Sequence, residues 1–229
     1  MSRHLQAIVF DFDGVIANSE PLHLLAFQQA LAEDGVELSA TDYYSRYLGY
    51  DDVGMFEALG RDRGLAMEGG RVTELVARKG DRMQDLLRSG SVVFPGALEF
   101  IREAAAAVPI AIASGALRHE IDDIIDAAGV ANLFATIVAA GDTPESKPSP
   151  APYRLAFEQL REKTGRALDP RRSVAIEDSR WGLESARGAG LRLVGVTSSY
   201  SADELSSAEL VVDGLATLTL PALDQLCAS

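Results

Sequence analysis

Two aspartates one residue apart, in Asp11-Phe12-Asp13-Gly14, follow the unbroken apolar run Ala7-Ile8-Val9-Phe10 near the start of this chain. A carboxylate in such a place can attack phosphorus and form an acyl phosphate that water later hydrolyses, which makes Asp11 the candidate nucleophile. Asp13, two positions on, shares the side of the chain on which Asp11 lies and stands further out. That suits it to protonate a leaving oxygen and then to activate water. Three further groups recur downstream: Ser114-Gly115, Lys147-Pro148 and Glu177-Asp178-Ser179. Lys147 would neutralise the charge of a transferring phosphoryl group, and Ser114 would hydrogen-bond its oxygens. A carboxylate and a phosphate repel each other, so a cation is required. Mg²⁺ takes a few carboxylates together with water and phosphate oxygen, which Asp11, Asp178 and Glu177 can supply.

These groups need a scaffold that brings them together. The run Ala7–Phe10 is short, rich in β-formers and ends in an acid, the pattern of a strand buried on both faces. The tripeptide Phe94-Pro95-Gly96 reads as a turn. After it, helical patterns at 97–107, 119–128, 152–163 and 181–187 alternate with strand patterns at 110–113, 136–139, 173–176 and 192–196, and a last strand lies near 210–212. This rhythm predicts an α/β fold with a doubly wound, parallel, Rossmann-like sheet. Such sheets bind ligands at the carboxyl ends of their strands. Each candidate group follows a strand, so all four converge on one edge. A turn would explain Asp13-Gly14 alone and a surface lysine would explain Lys147 alone, but four sites after four successive strands form one set.

Residues 19–90 break the rhythm with helical patterns only, at 22–33, 42–48, 53–61 and 72–87. They predict an α-helical cap inserted into a catalytic core of residues 1–18 and 91–229, with a hinge near Asn18 and Ser91. The segment Gly188-Ala189-Gly190 resembles part of a dinucleotide fingerprint but precedes a strand instead of following one, and reads as a helix-terminating turn. No phosphate loop of the Gly-Lys-Ser/Thr type occurs.

The chain has 229 residues and a formal net charge of −13, with 34 acidic against 21 basic side chains. That field repels nucleic acid and anionic membranes, so neither is an expected partner, and a site for phosphate must carry its own cations. Cys227 is the single cysteine, which rules out an intrachain disulfide and fits a reducing cytoplasm. The N-terminal apolar run is too short for a signal peptide, and no run approaches the ~20 residues that span a bilayer. A cytoplasmic monomer acting on a small phosphorylated metabolite is expected.

At these residues the sequence resembles the haloacid dehalogenase superfamily. The matches are Asp11-Phe12-Asp13-Gly14-Val15, Ile112-Ala113-Ser114-Gly115, Lys147-Pro148, and Glu177-Asp178-Ser179 with Gly182. It is similar to the branch that holds β-phosphoglucomutase and many small-metabolite phosphatases, in which a helical cap follows the first strand. The resemblance implies that Asp13 gives its backbone carbonyl to the metal and keeps its side chain for proton transfer, an acid that a dehalogenase does not need. It implies substrate contacts from Gly115 and from His23 and Lys79 in the cap. Two departures bear on substrate. The family's Lys-Pro-x-Pro-Asp pattern ends here in Ala151, and the mutase arginine that holds a second phosphate falls at Asp52. The polar and basic residues that follow the core serine in the mutase fall at Ala116 and Leu117, with Arg118 next as a candidate substrate contact. Hydrolysis is therefore expected, with a phosphomutase as the alternative. A non-catalytic binding protein on this fold is the remote one, because the nucleophile and metal acids are all present.

Overall fold

The computed structural model describes residues 4–47, 50–89 and 92–228. The chain forms two compact units, one of Met1–Asn18 with Val92–Ser229 and one of Ser19–Ser91. In the first, β1 (Ala7–Phe10), β2 (Ile110–Ala113), β3 (Phe134–Val138), β4 (Ser173–Glu177), β5 (Arg192–Val196) and β6 (Leu210–Val212) make one sheet in the order β3-β2-β1-β4-β5-β6. Every adjacent pair is parallel. This is the expected doubly wound sheet. Its order reverses between β1 and β4, the crevice at which such sheets hold ligands.

Burial follows position in the sheet. The interior strands β1, β2 and β4 are buried at every residue, whereas edge strand β3 alternates buried with half-buried positions. Helices α7 (Ala151–Thr164) and α8 (Arg180–Gly188) cover one face, where Tyr153, Ala156, Phe157 and Leu160 meet Ala7, Val9, Ala111 and Ala175. On the other face the Phe10 ring stands edge-on, 6.2 Å from Phe100 of α5 (Ala97–Ala107) and 6.2 Å from Phe134. Strand β3 starts two residues before the predicted 136–139, because Phe134 is drawn into this contact. Helix α6 (Arg118–Ala127) starts one residue early, where the Glu120 carboxylate accepts the Leu117 N–H at 3.3 Å. Gly190, just past α8, has φ +83°, so the Gly-Ala-Gly segment is the helix-terminating turn expected. The chain closes with α9 (Leu220–Leu226), and Cys227 is buried at its end.

The second unit is entirely helical among its described residues: α1 (Glu20–Ala32), α2 (Ala40–Asp42), α3 (Asp52–Arg63) and α4 (Gly70–Ser89), around Phe27, Leu31, Met55, Phe56, Leu59 and Leu75. The helix predicted at 42–48 is replaced by the short α2 and a wider π turn over Tyr43–Tyr47, and Leu48 lies outside the described residues. The wide turn buries both Tyr43 and Tyr47 while their hydroxyls reach Glu20 and Asp62. Where the chain leaves the sheet unit, the Asn18 N–H donates to Val92 O at 2.8 Å and the Phe94 N–H to Ile16 O at 3.0 Å. Ser91, named above as part of the hinge, lies outside the described residues. Among the described residues no helix is long and apolar enough to cross a membrane.

Candidate active site

Register along the sheet decides which acids meet. Phe10 pairs with Ile176, and the Asp11 N–H donates to Ile176 O at 2.9 Å, so β1 and β4 end side by side. Asp11, Glu177 and Asp178 thereby gather in one buried cluster, with one oxygen from each lying within 4.8 Å of the others. Lys147, from the loop between β3 and α7, reaches Asp11 Oδ1 at 2.8 Å and Glu177 Oε1 at 2.6 Å. Asp11 Oδ1 also accepts the Phe12 N–H at 2.7 Å, whereas Oδ2 carries no hydrogen bond among the described residues. Oδ2 is therefore the oxygen with a lone pair to use.

Two glycines make room for this cluster. A Cβ on Gly14, whose φ is +77°, would lie 1.9 Å from Asp178 Oδ2, and one on Gly182 would lie 1.7 Å from Glu177 Oε1. Glu177 is fully buried and accepts five hydrogen bonds. Lys147 and the Tyr153 hydroxyl (3.0 Å) donate to Oε1; the Asp178 N–H (3.1 Å), the Ser179 N–H (3.0 Å) and the Ser179 hydroxyl (2.9 Å) donate to Oε2. The loop after β5 also joins the rim: Ser198 donates to Gly14 O, and Ser199 is close enough to Asp178 to favour its charged form.

Three buried carboxylates share one ammonium, and their proton affinities show the imbalance. Burial pushes Asp11 well above the ordinary carboxylate range, and the Glu177 charge adds to this against the pull of Lys147. Burial and the Glu177 charge push Asp178 up to about 7. Burial acts in the same sense on Glu177, but the Lys147 charge and the donors around it hold this carboxyl below its usual value. Burial would discharge Lys147, yet Asp11 and Glu177 keep it charged. The cluster thus lacks positive charge, and its donors are all hard oxygens. A divalent cation fits both conditions.

The remaining sequence candidates are placed as follows. Ser114 is buried just beyond β2, its N–H bonded to Val138 O (2.9 Å) and its Oγ accepting the Ala116 N–H at 3.0 Å, while Gly115 next to it is exposed. Asp13 is half-buried, outside the tight carboxylate trio, but close enough for its charge to raise Asp178. Ala151 opens α7 without a side-chain cap, and Ser149 Oγ accepts its N–H at 3.3 Å. Arg118 is engaged elsewhere: Nε bonds both Asp122 oxygens at 3.1 Å and Nη1 donates to Ile137 O of the edge strand at 3.2 Å. The Asp122 contact is an i,i+4 pair on the first turn of α6, with both side chains exposed. Within the helical unit, buried Lys79 lies 2.9 Å from Asp52 Oδ1 and 2.9 Å from His23 Nδ1, with its ammonium 5.1 Å from the Phe27 ring centre. Burial, then the Lys79 charge, pushes His23 down to about 3, so its imidazole is neutral at pH 7.

Sequence reasoning missed Tyr153, Ser198 and Ser199. Tyr153 sits at an apolar helix position that reads as core, and serines in a loop carry no periodic signal.

The comparisons agree with this geometry. Residues 8–196 match the family model described as "Haloacid dehalogenase-like hydrolase". The chain belongs to this family. The hydrolase is 32% identical to the CbbY protein of Rhodobacter capsulatus, over 97% of this chain and 99% of that one. Its structure superposes on crystalline CbbY from Rhodobacter sphaeroides in complex with phosphate with a TM-score of 0.81, at 29% identity and covering 96% and 99% of the two chains. A mutant of that protein in complex with xylulose-(1,5)bisphosphate superposes with a TM-score of 0.78, at 28% identity and covering 93% and 96%. The hydrolase is a phosphatase of this superfamily, working through an aspartyl-phosphate on a small phosphorylated metabolite.

Proposed function

We propose that the chain is a Mg²⁺-dependent phosphatase of a sugar phosphate, with Asp11 as nucleophile and Asp13 as acid and base. The carrying observation is the buried trio Asp11, Glu177 and Asp178, served by the Lys147 ammonium at the switch point of the sheet. Asp11 Oδ2 attacks phosphorus, the ester P–O bond breaks, and the leaving oxygen takes its proton from Asp13. Asp13, now a carboxylate, removes a proton from water as that water attacks the acyl phosphate. Inorganic phosphate leaves and the Asp11 carboxylate is restored. Lys147 neutralises and Ser114 hydrogen-bonds the phosphoryl oxygens, with Gly115 beside them. Mg²⁺ would be held by Asp11, Asp178 and the Asp13 carbonyl, with Glu177 next to them, and supplies the charge that lets a phosphate dianion approach a carboxylate. Cytoplasmic location, a monomeric state and no nucleic-acid partner complete the reading.

His23 and Lys79 are proposed as substrate contacts of the helical cap, residues 19–90. A mutase grips a second phosphate while the first transfers, which needs cations in surplus. Here the Lys79 charge is already matched by Asp52, and Arg118 is held by Asp122. Both observations favour hydrolysis. The complex of the related CbbY with xylulose-(1,5)bisphosphate supports a sugar phosphate as substrate.

The test is phosphorus NMR of the purified protein with Mg²⁺ and a panel of sugar phosphates. The panel includes xylulose 1,5-bisphosphate, and β-glucose 1-phosphate with a trace of the 1,6-bisphosphate. Release of inorganic phosphate is the expected result. Conversion to glucose 6-phosphate faster than phosphate release would overturn it in favour of the mutase.

Mg²⁺ binding itself should depend on pH in a fixed sense. Asp178 must lose its proton to bind the cation, and in the cation-free protein that proton leaves at about 7. Apparent affinity should therefore fall as the pH drops through 7 and below. Thermal-shift titrations with Mg²⁺ between pH 5.5 and 8.5 read this directly. An affinity unchanged across that range would remove Asp178 from the ligand set.

A further inference from the structure

Lys147 pairs with both Asp11 and Glu177, yet it belongs to no helix or strand, lying nine residues past the end of β3 and four before the start of α7. A lysine side chain has a flexible four-carbon stem and about 2 kcal/mol of rotamer entropy, so something must hold it. Besides Asp11 Oδ1 itself, two groups do: Glu177 Oε1 and the Tyr153 ring, whose centre lies 5.0 Å from Nζ. The Tyr153 hydroxyl donates to the same Glu177 Oε1 that accepts from Lys147. One tyrosine therefore touches the ammonium with its face and fixes the ammonium's acceptor with its hydroxyl.

Tyr153 is suited to that task by where it stands. It is fully buried, on the first turn of α7, whose Ala156, Phe157 and Leu160 pack on the sheet face. Burial and the Glu177 charge keep its hydroxyl protonated, so it remains a donor. A two-χ aromatic on a packed helix thus steadies a long side chain that a loop presents.

We propose that Tyr153 is a positioning residue that holds Lys147 against Asp11 by clamping it between its own ring and Glu177. The assignment rests on the functional reading above. Tyr153→Phe keeps the ring and deletes the hydroxyl, and Tyr153→Leu removes both, with 4-nitrophenyl phosphate and saturating Mg²⁺ as the assay. In Tyr153→Phe kcat should fall about tenfold with KM little changed, because the lysine then meets the transferring group from a scattered position. Tyr153→Leu should lose more. A tyrosine that only fills the core would lower Tm and leave kcat alone. Wild-type activity matched by an equally active Tyr153→Phe, or a change confined to KM, overturns the assignment by itself. An inert wild-type protein overturns the functional reading and the assignment with it.

Discussion

Asp11→Asn should abolish turnover and covalent phosphorylation together, while making the cation-free protein more stable. The amide is a poor nucleophile, and loss of a covalent nucleophile costs on the order of 10⁴-fold or more in kcat. The stability effect has a separate cause. Asp11 is buried beside Glu177 and Asp178, and its carboxyl is pushed well above the ordinary range. At neutral pH its charge is therefore a burden on the fold, which a neutral side chain of nearly the same shape removes. Rapid-quench labelling with phosphorylated substrate and thermal unfolding without Mg²⁺ read the two effects. Residual labelling would move the nucleophile to another residue. Asp13→Asn provides the contrast: it should keep labelling by an aryl phosphate, whose leaving group needs little protonation, and lose about 10²–10⁴-fold with an alkyl phosphate. Equal losses with both leaving groups would take the acid role from Asp13.

Lys147→Ala should damage stability as much as chemistry. The ammonium bridges Asp11 and Glu177, and its side chain is only 13% exposed. Removing one partner from a buried ionic cluster leaves the other charges uncompensated, at a cost of about 3–5 kcal/mol. Turnover should fall with it, since among the described residues no other cation pairs with the trio. The variant should also gain more stability from Mg²⁺ than the wild type does, because the added cation meets a larger excess of negative charge. Urea unfolding with and without Mg²⁺ measures both quantities. A cation-free Lys147→Ala as stable as the wild type would show that the lysine is not what holds these carboxylates together.

Much of this molecule was legible in the sequence because its signals are local. Unbroken apolar runs such as Ala7–Phe10 and Ile110–Ala113 are what strands buried on both faces require, and they appear as interior strands. Asp11, Glu177 and Asp178 stand at strand ends and Lys147 in the loop that follows β3, so a parallel sheet was enough to bring them to one edge. The helical character of the insertion and the turn at Gly190 came from periodicity and glycine placement alone.

Tertiary structure decided what contact distances decide. That Glu177 carries five donors and anchors Lys147, and that Asp11 Oδ2 is the uncommitted oxygen, follows from strand register and loop path, which no local pattern encodes. The same holds for the pairing of Arg118 with Asp122, one helical turn on, which no motif announces. Tyr153 shows the limit most clearly. In sequence it is one more apolar position of an amphipathic helix, and only the packing of α7 on the sheet brings its hydroxyl to Glu177, 24 residues away along the chain.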